Sequence, residues 1–109
     1  MAPRFRVRWT EQAATDLTDI IQYIAMDSPP NALKVYKRIR TRADTLKAFP
    51  ERGHGVPELV ELGITNYSEL AIPPFRLVYR IDDKTVFVQA IFDGRRDLQQ
   101  ILSDRLLRQ

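Results

Sequence analysis

The stretch from Phe75 to Phe92 constrains the fold most. "FRLVYRI" alternates, with Phe75, Leu77, Tyr79 and Ile81 on one side and Arg76, Val78 and Arg80 on the other. That is the period-2 pattern of a strand whose two faces meet different surroundings. "TVFVQAIF", Thr85–Phe92, is apolar on both faces, as suits a strand in the interior of a sheet. The polar triplet Asp82–Lys84 between them reads as a hairpin turn. A hairpin this apolar has to be covered, and the upstream sequence supplies the cover.

Thr10 is a good N-cap, followed by Glu11 in the first turn, where the helix dipole favours an acid. Ala13, Leu17, Ile20, Ile21 and Ile24 then recur at helical spacing. "DSPPN" ends that helix, and Ser28 with Pro29 reads as the N-cap and first position of the next. Its apolar stripe is Ala32, Tyr36, Ile39, Ala43 and Leu46, with Lys34, Lys37, Arg38, Arg40 and Arg42 around the rest. Two helices joined so tightly predict an antiparallel hairpin.

Ahead of the helices, "RFRVRW" puts Phe5, Val7 and Trp9 on one face and Arg4, Arg6 and Arg8 on the other. This predicts an edge strand protected by charge. "FPERGHGVPEL" is dense in Pro and Gly between Pro50 and Pro57 and reads as a loop. "YSELAI", Tyr67–Ile72, is a further strand ending at Pro73-Pro74, and after Gly94 the pattern turns helical through Leu98, Ile101, Leu102 and Leu106. The order β-α-α-β-β-β-α predicts an α+β fold over one domain, residues 1–109. A helical hairpin packs on one face of a mostly antiparallel four-stranded sheet, and a C-terminal helix follows.

Composition narrows the chemistry. The chain has no cysteine and a single histidine, so disulfides, thiolate metal sites and multi-His metal centres are out of reach, and no cofactor or metal is expected. No run approaches the roughly 18 apolar residues of a membrane helix, and "MAPRFRVRW" lacks a hydrophobic signal core, which predicts a cytoplasmic protein. The net charge of +3 is small, so where the arginines sit matters more than their sum. Arg76 and Arg80 project opposite Phe75 and Tyr79, and an unpaired guanidinium is costly to bury. That face of the sheet is therefore expected to be wet or occupied by a partner. A second cluster, Arg95-Arg96, stands where the last strand turns into the last helix. Both clusters have a structural alternative: Arg76 pairing with Glu69 across strands, and Arg95 and Arg96 pairing with Asp93, Asp97 or nearby carbonyls.

The element order, the "FPERGHGVPEL" loop, "YSELAIPPFRLVYRI" and the closing "VFVQAIFDGRRD" resemble the RelE/ParE superfamily of type II toxins over essentially the whole chain. The resemblance implies a toxin neutralised by a cognate antitoxin, and two mechanisms divide the superfamily. RelE-like members are ribosome-dependent mRNA endonucleases; ParE-like members poison DNA gyrase and cleave no RNA. RNA cleavage needs groups that move protons and a cation on the phosphate. Arg76 matches the family's strand arginine, but the last strand ends in Phe92-Asp93 rather than in a tyrosine or histidine. Phe cannot transfer a proton, and Asp93 would repel a phosphate. The chain also continues well past its last strand, as ParE-like proteins do. The ParE-like branch is favoured: no catalytic residues, and a contact surface for gyrase or antitoxin built from Arg76, Arg80, Arg95, Arg96, Leu98, Ile101 and Leu102. The alternative is an endonuclease in which Arg76 holds the phosphate and His54, with Lys47 or Arg52, assists. In either case the expected partner is an antitoxin with an acidic and apolar C-terminal segment, held in a toxin–antitoxin hetero-oligomer.

Overall fold

The computed structural model describes residues 4–97, 99–101 and 105. The strands are β1 (Arg6–Trp9), β2 (His54–Gly55), β3 (Ser68–Ile72), β4 (Phe75–Asp82) and β5 (Thr85–Asp93). Helices α1 (Glu11–Asp27) and α2 (Pro29–Asp44) form the hairpin, and α3 (Pro57–Val60) is a single turn. The sheet runs β1-β5-β4-β3-β2, with β1 parallel to β5 and every other pair antiparallel. Residues 99–101 and 105 are helical, in line with a C-terminal helix.

The caps act as the sequence predicts. Thr10 Oγ1 accepts the Ala13 N–H at 3.1 Å, and Ser28 Oγ accepts the Asn31 N–H at 3.3 Å. Ser28 closes α1 as well, its N–H donating to the Ile24 carbonyl at 2.9 Å. One residue ends one helix and starts the next, so the two must fold back on each other. Ala13, Leu17, Ile39, Ala43 and Leu46 meet Leu70, Leu77, Tyr79, Val86 and Val88 of the sheet in one buried cluster. Each fully buried Leu or Ile contributes roughly 1.5–3 kcal/mol, so docking on the sheet rather than intrinsic propensity holds the hairpin. The stripe on α2 differs at one position: Tyr36 is exposed, and Val35 packs on the core instead. The series 32, 35, 39, 43, 46 follows the 3.6-residue period better than one through 36.

The sheet has five strands rather than four, because the supposed loop contributes β2 and α3. Gly53 is what allows it. A Cβ there would lie 2.3 Å from the Glu69 carbonyl oxygen and 2.7 Å from Tyr79 Oη. With only hydrogen on Gly53, its N–H donates to Tyr79 Oη at 3.0 Å, and the Tyr79 hydroxyl donates onward to the Pro50 carbonyl at 2.8 Å. Burial raises the Tyr79 pKa. The segment then lays Val56 and Leu59 on Val78, Ala90 and Phe92, with Ile64 and Tyr67 alongside. The sheet face expected to be wet or occupied by a partner is therefore half covered by the chain itself.

β5 carries a bulge. Val78 pairs with Ala90 but Tyr79 pairs with Val88, which leaves Gln89 as the extra residue. Val86, Val88 and then Ile91 face the helices, while Ala90 and Phe92 face the second core. β1 stops opposite Val88. Beyond that point Asp16 of α1 serves the open edge, its Oδ2 accepting the Ile91 N–H at 3.1 Å. The β4–β5 turn is tight, with Asp82 paired to Thr85 and Asp83 in the left-handed region at φ 56°.

Candidate functional site

Arg76 sits on β4 facing the second core, and its side chain is 17% exposed. It is not an open cation. Nε donates to Glu69 Oε2 at 2.8 Å, Nη1 to Glu58 Oε2 at 2.9 Å, and Nη2 to Glu58 Oε1 at 2.8 Å and to Glu69 Oε1. Phe92 lies under the guanidinium, 5.7 Å away at its centroid. Glu69 stands beside Arg76 because β3 and β4 pair antiparallel, and Glu58 reaches it from α3. The hydrogen bond from Arg76 pulls the Glu58 pKa down, and the two carboxylates push that of Arg76 further up. One cation between two anions leaves the cluster net negative, so a phosphate approaching Arg76 would be repelled until a carboxylate moved away.

The strand-to-helix corner is built around Asp93. The Gly94 N–H donates to the Pro74 carbonyl at 2.8 Å, fixing the turn beside the β3–β4 connection. Asp93 then accepts from Arg95 three times: backbone N–H at 2.9 Å, Nε at 3.0 Å and Nη2 at 2.7 Å. These bonds from Arg95 hold the Asp93 pKa down at about 2. The Arg95 side chain is nonetheless 84% exposed, and Arg96 is exposed beside it. Between this corner and the helical hairpin lies a groove of about 520 Å³, lined among others by Tyr23, Val35, Arg38, Arg95, Ile101 and Arg105. The walls are largely apolar, and at the edge Arg38, Arg95, Arg96 and Arg105 outnumber Asp16, Asp19 and Asp93, a balance that suits a segment that is both apolar and acidic.

A family model for the ParE toxin of type II toxin–antitoxin systems (parDE) matches residues 7–98. The chain belongs to this family. Toxin RelE2 of Caulobacter vibrioides is 36% identical over 92 residues, which is 84% of this chain and 97% of the relative. In fold, a structure of the chromosomal ParDE system from P. aeruginosa matches with a TM-score of 0.68 at 24% identity, covering 84% of this chain and 98% of the other. The toxin–antitoxin complex RelBE2 from Mycobacterium tuberculosis matches with a TM-score of 0.61 at 23% identity, covering 83% and 98%. Proteins named for RelE and for ParE thus both stand among those this one is similar to.

Within this ParE-family toxin the expected site residues do not form one constellation. Arg95, Arg96 and Ile101 gather at the groove; Leu98 and Leu102 lie outside the described residues. Arg76 lines the second core, in the pairing with Glu69 that stood as its structural alternative. Arg80 is further along β4, its guanidinium 4.5 Å over the Phe87 ring. His54 is exposed on the edge strand β2, opposite Glu69, with Nδ1 2.9 Å from the Gly55 carbonyl oxygen. Among the described residues no cluster of acidic or histidine side chains is placed to hold a metal, and no helix is long and apolar enough to cross a membrane.

Sequence reasoning missed three residues that shape the site. Glu58 closes on Arg76 from a turn that read as loop. Asp16, 7% exposed, joins the bulge amide to the C-terminal helix by accepting from Arg105 Nη1 at 2.6 Å. Arg38 of α2 donates to the Pro73 carbonyl at 2.7 Å and closes one side of the groove. The only advance signal was an acid inside the apolar stripe of α1, between Ala13 and Leu17.

Proposed function

We propose that this toxin acts by contact, inhibiting DNA gyrase without chemistry of its own, and that a cognate antitoxin neutralises it. The sequestration of Arg76 by Glu58 and Glu69 carries this reading. The strand arginine that a nuclease would offer to a phosphate is spent on internal carboxylates, and the groups beside it, Glu58 and Glu69, are both engaged in binding its guanidinium. Tyr79, the one buried hydroxyl on the same strand, is held between Pro50 and Gly53. Exposed Arg95 and Arg96, with Ile101 and the flanking Leu98 and Leu102, form the contact surface for gyrase or antitoxin. The apolar and acidic tail of the antitoxin seats in the groove beside them.

A second reading, a ribosome-dependent endonuclease, draws support from the 36% identity to Toxin RelE2. It requires Glu58 to leave Arg76 when RNA binds. Induction of the toxin without antitoxin in growing bacteria separates the two. Under the gyrase reading thymidine incorporation falls before methionine incorporation; the reverse order selects the ribosome. Charge reversal at Arg95 and Arg96 is expected to abolish growth arrest in a folded protein.

A further inference from the structure

The uncovered half of the second sheet face carries a surface that the proposed gyrase contact does not use. Val7, Trp9, Tyr79, Val86 and Val88 face the helical hairpin, so their alternates on β1, β4 and β5 face the opposite way. In register, Arg8 lies beside Phe87 from one side and Arg80 from the other, while Arg6 and Asp82 flank Thr85. Two arginines, Arg8 and Arg80, thus flank one aromatic ring on the strand between them, and a third, Arg6, lies two residues further along β1 beside Thr85. The Arg80 guanidinium sits 4.5 Å over the Phe87 centroid, and its one carboxylate contact, Asp82, is 3.7 Å away with an exposed side chain. Arg6 and Arg8 are exposed. The self-made cover of α3 packs on Val78, Ala90 and Phe92, at the other end of the sheet.

We propose that this half-face binds single-stranded nucleic acid through its phosphate backbone, with no sequence preference. Charge complementarity and shape favour this occupant. Arg6 and Arg8 lie about 6.6 Å apart along β1, and Arg80 lies about 9–10 Å from Arg8 across β5. This places three cations in a shallow array suited to one extended strand. An aromatic ring with a guanidinium plane on it offers bases a stacking surface, the pairing of features used by sequence-tolerant single-strand binders. The stacking surface favours a single strand, whose bases are free to stack, over a duplex, whose bases are already stacked on one another.

Fluorescence anisotropy of the purified chain with a labelled mixed-sequence 15-mer, as DNA and as RNA, tests this. Binding is expected at low salt, with log K falling against log salt at a slope of about −2 for three neutralised phosphates. Arg6→Gln/Arg8→Gln should weaken binding at least tenfold and cut the slope to about −0.7. Lys34→Gln/Lys37→Gln on α2, which removes the same net charge from exposed positions, should leave both unchanged. Arg80→Gln is a second probe, and circular dichroism verifies that each variant is folded. Equal losses in the α1–α2 control and the β1 pair would reduce the effect to net charge and overturn the assignment. So would tighter binding to a 15-bp duplex, equal competition by polyglutamate, or no binding at 50 mM salt.

Discussion

Replacing Arg76 by Ala removes the single cation from between two carboxylates. Glu69 is 6% exposed at its side chain and Glu58 29%. Removing one partner of a buried pair costs about 3–5 kcal/mol, since the remaining charge stays desolvated. A pair in contact with water is worth about 1 kcal/mol or less. Glu69 belongs to the first case and Glu58 sits nearer the second, so the expected loss is about 3–4 kcal/mol at pH 7. Glu58→Gln should cost only about 1 kcal/mol. Urea unfolding followed by circular dichroism reads both; with a urea slope of roughly 1–3 kcal/mol/M, the Arg76→Ala midpoint should fall by more than about 1 M. The pH dependence gives a second check. The folded pKa of Glu58 is lowered below 4.5, so its contribution is full above that value and fades as pH falls through the folded pKa. In Arg76→Ala, Glu58 loses the hydrogen bond that lowers its pKa, and its protonation no longer costs the variant a contact. The gap between parent and variant should therefore narrow from pH 7 to pH 4. A loss below about 1 kcal/mol, or a gap independent of pH, would refute the picture of a guanidinium holding one buried and one half-buried carboxylate.

Gly53→Ala should destabilise by about 2–3 kcal/mol, because its Cβ would collide with the Glu69 backbone and Tyr79 Oη; thermal unfolding measures the loss. Tyr79→Phe leaves the Pro50 carbonyl and Gly53 N–H without their partner and should cost about 1–3 kcal/mol in the same assay. Asp16→Ala strips the acceptor from the Ile91 N–H and from Arg105, so faster hydrogen exchange at the Ile91 amide is expected. The Asp93 carboxyl should titrate near pH 2 by NMR and move toward 3.8 in Arg95→Ala. Because its folded pKa is depressed, its contribution to stability is complete above 3.8 and disappears as pH falls through about 2.

What the sequence disclosed was local. Thr10 and Ser28 announced both helix starts because a cap acts on the next three residues. The alternation of β1 and β4 announced strands because a pleat repeats every two residues. Glu69 could be suspected as a partner of Arg76 because adjacent strands of a short hairpin bring such pairs together. What stayed hidden depends on tertiary contact. β2 is only two residues long and exists because Gly53 can approach Glu69, which no periodicity signals. The bulge at Gln89 is masked by a strand apolar on both faces, so a one-residue slip leaves the pattern unchanged. Glu58 sits outside any repeat and meets Arg76 only after α3 folds onto the sheet. The site was legible as a set of arginines, but which of them are spent on internal carboxylates was not.

The proposed action on gyrase by contact alone is tested most directly in vitro. Purified toxin, free of antitoxin, is added to gyrase, ATP and relaxed plasmid, and in parallel to translating ribosomes programmed with a defined mRNA. The account predicts lost supercoiling, linear DNA after detergent and protease, and intact mRNA. Undisturbed supercoiling together with codon-linked mRNA cleavage that disappears in Arg76→Ala would contradict it.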